Sequence, residues 1–536
     1  MTVPSTAIDN LSEGEGQNVT IDEVIRSAAT RFADREFLRC HDRSLTFKQT
    51  DAETGAWARG LAEHGAESGD RVAIMLPNDS RWPLTWLAVV RSGRIAVPVN
   101  YAYRREDLEH VLIDSGATLI VADSEKRPLL ESATPIQDGT TRILDVEDIA
   151  ATKIGGRAER GTPPVTVDTL ANLQYTSGTS GFPKACMLTH DYWVRMGQMT
   201  ASHAEICDDD VALTAQPFSY IDPMWNTMMC LTSGIPLVVL QRFSASGFWA
   251  DVRQHRATFF YVLGGMPVLL YKQPPHRDDR NSHVRLVLCS GIVPELHADL
   301  EQRWGAPWRE AYGLTETGVD LSVPIDAADL VGSGKVGYPA PGKTVRVVDE
   351  HGHTLPAGVT GELVTCGPPM MRGYWNQPEK TAQAMQNGCF YTGDLAMMDE
   401  DGAFRIVGRL KDMVRRGGEN VACAEVEQVL DQHPTIVMSA VTPIPDDILG
   451  EEVKAYVQLA PGIDPTARAA RDIVTFAGER LAKFKVPRHV EFVDDFPLTP
   501  SARISKPTLI SLPSDAARSY TIDPTRSNDR QSKGHS

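Results

Sequence analysis

The chain has 536 residues, with 53 Lys and Arg against 70 Asp and Glu and a net charge of −17. That length exceeds what one hydrophobic core usually serves, so two or more domains are expected. An apolar fraction of 42% with 23% charged residues excludes a disordered or collagen-like chain. The acidic balance has the wrong sign for a nucleic-acid coat, so any anionic ligand has to be held by local groups.

Eight cysteines (Cys40, Cys186, Cys207, Cys230, Cys289, Cys366, Cys389 and Cys423) are scattered without a CxxC pair or metal-ligand spacing. They read as reduced thiols in a cytoplasmic protein. The polar, acidic N-terminus has no apolar run of signal-peptide type, and no stretch approaches eighteen apolar residues. Neither a secretion signal nor a membrane span is expected.

In chain order, residues 20–64 show helical apolar spacing interrupted by a short strand at Leu45 to Phe47. Val72 to Leu76, a helix around Trp82 to Arg91, Ile95 to Asn100, a helix near Glu106 to Ser115 and Leu119 to Asp123 then read as β-α-β-α-β. Short, fully apolar strands of this kind belong in a parallel sheet covered by helices on both faces. Residues 124–168 carry no clear pattern. Alternation resumes from 210 to 300, with strands at Leu237 to Leu240 and Phe259 to Gly264.

From 333 onward Gly and Pro become frequent and short strands replace helices, at Val345 to Asp349, Gly361 to Gly367 and Phe404 to Arg409. A helix near Ala424 to Gln432, strands near Ser439 to Pro443 and Val453 to Leu459, and a helix near Ala467 to Lys483 follow. The expected fold is α/β. A large N-terminal domain of layered α/β sheets, 1–408, includes a small β-rich subdomain at about 333–408. A separate, mobile α+β domain covers 409–512, and a polar tail, 513–536, is expected to be disordered.

Four segments carry chemistry. In YTSGTSGFPK, Thr176, Ser177, Gly178, Thr179, Ser180 and Gly181 lead to Lys184. Glycines let backbone amides converge on an anion, hydroxyls add donors and lysine adds a charge. The spacing is not that of a P-loop, since Lys184 follows Gly181 by three and no Ser or Thr comes next. EAYGLTETG, from Glu310 to Gly318, combines an aromatic for adenine, hydroxyls for phosphate and a carboxylate for Mg²⁺. YTGD presents Asp394 in a turn suited to ribose hydroxyls, and GRLKDMVRRGG places Arg409 and Lys411 at a domain junction. Any one of these is a weak signal; the ordered quartet is a strong one.

In that order and spacing the sequence, from about 20 to 510, resembles the ANL superfamily of adenylate-forming enzymes: acyl-CoA synthetases, nonribosomal-peptide adenylation domains and firefly luciferases. RRGGENVACAEVE and Tyr220 to Asp222 look most like crotonobetaine/carnitine-type CoA ligases. The resemblance implies an ATP-, Mg²⁺- and coenzyme A-dependent ligase, in which a carboxylate attacks the α-phosphate of ATP, pyrophosphate leaves, and CoA opens the acyl adenylate.

By position it implies that residues 176–181 and Lys184 hold the β- and γ-phosphates, Thr315 the α-phosphate, and Thr176 and Glu316 the metal. Gly291, Ile292, Val293, Pro294, Glu310, Ala311, Tyr312 and Gly313 would line the adenine, and Asp394, Ile406 and Arg409 would meet the nucleoside. Lys411 would be the hinge about which the small domain rotates, and Gly417 and Gly418 would line the pantetheine tunnel. Tyr220, Trp225, Gly264, Gly265 and Met266 would meet the acid.

Three departures stand out. The family's C-terminal catalytic lysine falls on Arg503, with Lys506 three residues later, so either can supply the charge. Tyr220 stands where many CoA ligases have histidine, and Cys389 where tryptophan commonly precedes the TGD turn. Two rival readings remain: an adenylating ligase that serves a carrier protein, and a nucleotide-binding protein without turnover. A homodimer is compatible with each.

Overall fold

The computed structural model describes residues 19–154, 164–176, 183–410, 412–417, 419–446, 448–497 and 504–522. The chain divides into two compact units: Met1–Val345 with Thr365–Tyr391, and Arg346–Val364 with Thr392–Ser536.

The first unit holds two large sheets. In the six-stranded one the order is Arg142–Asp145, Leu119–Ala122, Arg71–Met75, Ile95–Pro98, Leu170–Thr176 and Lys184–Thr189. The first five run parallel and the last is antiparallel. Ile95–Pro98 and Leu119–Ala122 are buried along their whole length, which accounts for their unbroken apolar sequence. Helices Arg81–Arg91 and Arg105–Ser115 make the crossovers, as the β-α-β-α-β pattern predicted.

The nine-stranded sheet has a parallel centre in which Ala212–Thr214, Phe259–Leu263, Leu286–Ser290 and Trp308–Leu314 are successive neighbours. Their carboxyl ends therefore lie along one edge. The turns that follow, at Gly264–Gly265, at Gly291–Pro294 and in the hairpin from Leu314 to Gly318, gather there, the usual place for a ligand in an open α/β sheet. The region without a sequence pattern contains the short helices Arg127–Glu131, Thr134–Gln137 and Val146–Ala150 and the strand Arg142–Asp145.

In the second unit Ile436–Asp446 and Gly450–Leu459 form a long antiparallel pair, and His489–Phe492 adds in parallel to the latter. Helices Cys423–Leu430 and Ala467–Gly478 contribute Val426, Leu430, Ile473 and Val474 to its core. The second helix stops at Gly478, five residues before the expected end at Lys483.

Three sequence-based expectations differ from the structure. The β-rich stretch does not divide at 408/409: Arg346–Val364 and 392–408 fall in the second unit. Gly408 explains the continuity, since a Cβ there would lie 3.1 Å from that of Ala422, so the strand Phe404–Arg409 packs closely on the segment entering helix Cys423–Leu430. The tail does not lose order at 513, because Ser519–Thr521 pairs antiparallel with His489–Phe492; residues 523–536 lie outside the described ones. The cysteines are not all reduced: Cys366 and Cys389, on neighbouring strands with Cα atoms 4.2 Å apart, form a disulfide. Spacing rules overlook a pair that becomes adjacent only through strand pairing. No helix among the described residues is long and apolar enough to cross a membrane.

Candidate active site

In the first unit the two ends of the phosphate-loop motif pair antiparallel, Thr176 with Lys184, while Ser177, Gly178, Thr179, Ser180, Gly181 and Phe182 lie outside the described residues. A third segment runs beside this pair, with Met187 donating to the carbonyl of Gly373 and Trp375 to that of Ala185, each at 2.9 Å. This places Tyr374 against the strand pair. The Lys184 ammonium stands 4.8 Å from the centroid of the Tyr374 ring, a cation–π contact, and the Tyr374 hydroxyl donates to Glu316 Oε1 at 2.7 Å. One aromatic side chain thus joins the lysine of the first motif to the carboxylate of the second.

The Glu316 turn is anchored through its backbone as well. Tyr192, buried, donates from its hydroxyl to the Thr315 carbonyl at 2.9 Å, and the Met371 amide donates to the Glu316 carbonyl at 2.7 Å. Preceding this turn, the strand Trp308–Leu314 has a bulge at Tyr312/Gly313. Bulges re-aim the side chains around them. Gly313 can carry no side chain, because a Cβ would lie 2.1 Å from the Gly318 carbonyl oxygen. Ala311 is buried and Tyr312 half-buried.

Glu310 does not point at open solvent. Its carboxylate accepts from the Gly291 amide at 2.6 Å and the Ile292 amide at 2.8 Å, fixing the turn that leads through Val293 into helix Pro294–Trp304. Burial raises its pKa to about 7, against the lowering effect of those two amides. Gly291 has φ +96°, a conformation glycine adopts without strain.

On the same sheet edge, the Gly264 amide donates to the Ser290 carbonyl at 2.9 Å. A Cβ placed on Gly264 or Gly265 would meet nothing within 4 Å. Tyr261 donates to the Ser290 hydroxyl at 2.9 Å and meets Trp225 edge-on, with ring centroids 5.4 Å apart. Met266 opens the helix Met266–Tyr271, and the hydroxyl of half-buried Tyr220 accepts from Asn100 at 3.4 Å.

The remaining candidates belong to the second unit. Asp394 and Arg409 face each other across the antiparallel strands Cys389–Met398 and Phe404–Arg409, with Arg409 Nε 2.7 Å from Asp394 Oδ1. Ile406, half-buried, pairs with Ala396. Gly417 has φ +58°, whereas Lys411, Gly418 and Arg503 lie outside the described residues. Lys506 is described, and its ammonium is engaged: it lies 2.5 Å from Asp412 and 2.7 Å from Glu427. Burial works against its charge, but Glu427 first, then Cys423 and Asp412, hold its pKa above the ordinary lysine value.

Sequence reasoning overlooked Tyr374, Tyr192 and a buried pair, Lys343 and Asp320, behind the Glu316 turn. Tyr374 had a faint signal, a glycine–aromatic step in RGYWN; the others look like ordinary residues of a helix, a turn and a strand.

Residues 25–375 match the family of AMP-binding enzymes, and 425–503 match the C-terminal domain of AMP-binding enzymes. Feruloyl-CoA synthase from Amycolatopsis sp. is 34% identical over 473 residues, covering 86% of this chain and 93% of the relative. Crotonobetaine/carnitine–CoA ligase from Salmonella agona is 30% identical over 492 residues, covering 87% and 93%. Among solved structures, the o-succinylbenzoate coenzyme A synthetase of Bacillus subtilis in complex with ATP and magnesium superposes with a TM-score of 0.80 at 26% identity, over 91% of this chain and 99% of that one. The chain belongs to the adenylate-forming AMP-binding enzymes.

Proposed function

We propose that the chain joins a small-molecule carboxylic acid to free coenzyme A, with Mg²⁺·ATP as the activating substrate and the residues above in the roles their motifs imply. A carboxylate resists nucleophiles because it is anionic; coupling it to AMP removes that charge and creates a leaving group. Lys184 and the 176–181 loop hold the departing pyrophosphate, while Thr315 meets the α-phosphate where negative charge gathers. Glu310 holds the Gly291–Ile292 turn as one adenine wall, with Tyr312 and Gly313 as the other, and Asp394 with Arg409 grips the ribose. Tyr220, Trp225, Gly264, Gly265 and Met266 receive the acid.

Glu316 and the Thr176 hydroxyl offer oxygen donors only, and among the described residues no cluster of three or more His, Cys, Asp and Glu is present. Such a donor set suits Mg²⁺, which is bound through one or two carboxylates plus substrate phosphates. When bound, the ion neutralises charge on the phosphates. The observation that carries this reading is the contact chain from Lys184 through Tyr374 to Glu316.

For the C-terminal charge, the ion pairs of Lys506 support Arg503 as the group that reaches the adenylate. Lys411, which lies within the second unit and not at its border, serves as the hinge for the residues that follow it, and Gly417 and Gly418 as the pantetheine channel. The cytoplasm, which supplies ATP and CoA, is the expected location. A panel of carboxylic acids assayed for pyrophosphate release, with and without CoA, tests the proposal. Acid-dependent release together with an acyl-CoA product is the expected result; turnover only with an acylated carrier protein, or none with any acid, would refute it.

A further inference from the structure

Lys343 and Asp320 are wholly enclosed in the first unit, each with a side chain 0% exposed. The Lys343 ammonium donates to three carbonyls, those of Thr317 at 2.5 Å, Gly367 at 3.0 Å and Pro369 at 2.7 Å, and lies 3.4 Å from Asp320 Oδ1. Asp320 also accepts from the hydroxyls of Thr317 at 2.5 Å and Thr365 at 2.8 Å. Every hydrogen of the ammonium thus has an acceptor, which is the condition under which a buried charge is tolerated.

The three carbonyls belong to two stretches far apart in sequence. Thr317 follows Glu316, and Gly367 and Pro369 open the segment that continues through Met371 to Tyr374. That segment supplies two anchors of Glu316: the Met371 amide on its carbonyl and the Tyr374 hydroxyl on its carboxylate. Gly367 lets the Lys343 backbone come close, since a Cβ there would lie 2.3 Å from the Gly342 carbonyl oxygen. An apolar side chain at 343 would fill the space but leave these irregular-backbone carbonyls without a donor.

We propose that Lys343, held by Asp320, is a positioning residue for the divalent cation: it stitches the two segments together so that the Glu316 carboxylate is presented in one orientation. The inference rests on the reading of Glu316 as the metal-binding carboxylate.

The test measures ATP dissociation constants by calorimetry on the full-length protein, with Mg²⁺ and in EDTA, for Glu316→Gln, Lys343→Met, Asp320→Asn and the milder Thr365→Val. Ile149→Ala, in a fully buried core position of the same unit, controls for lost stability. Lys343→Met and Asp320→Asn are expected to weaken ATP binding about tenfold in Mg²⁺ and less than twofold in EDTA, with Thr365→Val shifting the same way by a smaller factor. Ile149→Ala should lower the melting temperature and leave both constants unchanged. Combining Lys343→Met with Glu316→Gln should add nothing to Glu316→Gln alone, because one acts through the other. Should the lysine variant not fold, Asp320→Asn and Thr365→Val give the same comparison. A Mg²⁺-specific loss in Glu316→Gln that is absent from the Lys343, Asp320 and Thr365 variants overturns the inference and leaves the metal reading standing. No Mg²⁺-specific loss in Glu316→Gln itself overturns the metal reading, and the inference with it.

Discussion

Replacing Glu310 with Gln probes the proposed adenine wall through a group whose charge state the fold controls. Its carboxylate accepts two backbone amides, from Gly291 and Ile292, and is raised from an ordinary 4.5 to about 7, chiefly by burial. The folded protein therefore keeps this proton over a pH range in which the unfolded chain has released it. Stability from this group is fully present below pH 4.5 and is lost as pH rises to about 7. At ~1.4 kcal/mol per pH unit the loss comes to ~3 kcal/mol. Glutamine cannot titrate, and it turns an amide NH₂ toward one of the two N–H donors, a buried mismatch of about 1–3 kcal/mol. Urea unfolding of both proteins at pH 5 and pH 8 is the assay. At pH 5 the variant should be the less stable by about 1–3 kcal/mol. By pH 8 the difference should shrink or reverse, moving by ~3 kcal/mol in favour of glutamine. A wild-type-minus-variant difference that stays level across this range would refute the assignment of a buried, titrating Glu310.

Three further outcomes follow from charge placement in the second unit. Asp394→Ala removes the carboxylate that Arg409 pairs with and, in the proposed role, the ribose acceptor; the KM for ATP should rise ~10-fold or more, the scale of a lost charged hydrogen bond, and an unaltered KM would dismiss the ribose role. Lys506→Ala leaves Asp412 and Glu427 facing each other uncompensated and should lower stability by about 2 kcal/mol or more. Arg503→Ala should instead slow acid-dependent ATP–pyrophosphate exchange with little change in melting temperature, and the opposite pattern would return the catalytic charge to Lys506.

The parallel sheets were legible in the sequence because strands such as Ile95–Pro98 and Leu119–Ala122 are buried on both faces and so carry no polar alternation. The motif residues Thr176, Lys184, Glu310 and Glu316 were legible as chemistry, but the roles of Glu310 and Glu316 depend on partners that arrive from elsewhere: the Gly291–Ile292 amides and Tyr374. Lys343 was silent, since a lysine between a Pro-Gly turn and a strand reads as exposed, and only the pairing of distant segments encloses it. The Cys366–Cys389 bond and the strand Ser519–Thr521 were hidden for the same reason, as both exist through neighbours remote in sequence. Lys506 was visible as a cation near the expected place, but its two carboxylate partners lie about 80 and 95 residues upstream.

Oxygen-isotope transfer tests the account most directly. When an acid labelled with ¹⁸O in its carboxylate is turned over with ATP and CoA, attack on the α-phosphate carries one labelled oxygen into AMP, and pyrophosphate leaves unlabelled. Mass spectrometry of the products should find AMP heavier by one ¹⁸O. Label in pyrophosphate or inorganic phosphate, or unlabelled AMP beside a formed thioester, would contradict activation through an acyl adenylate.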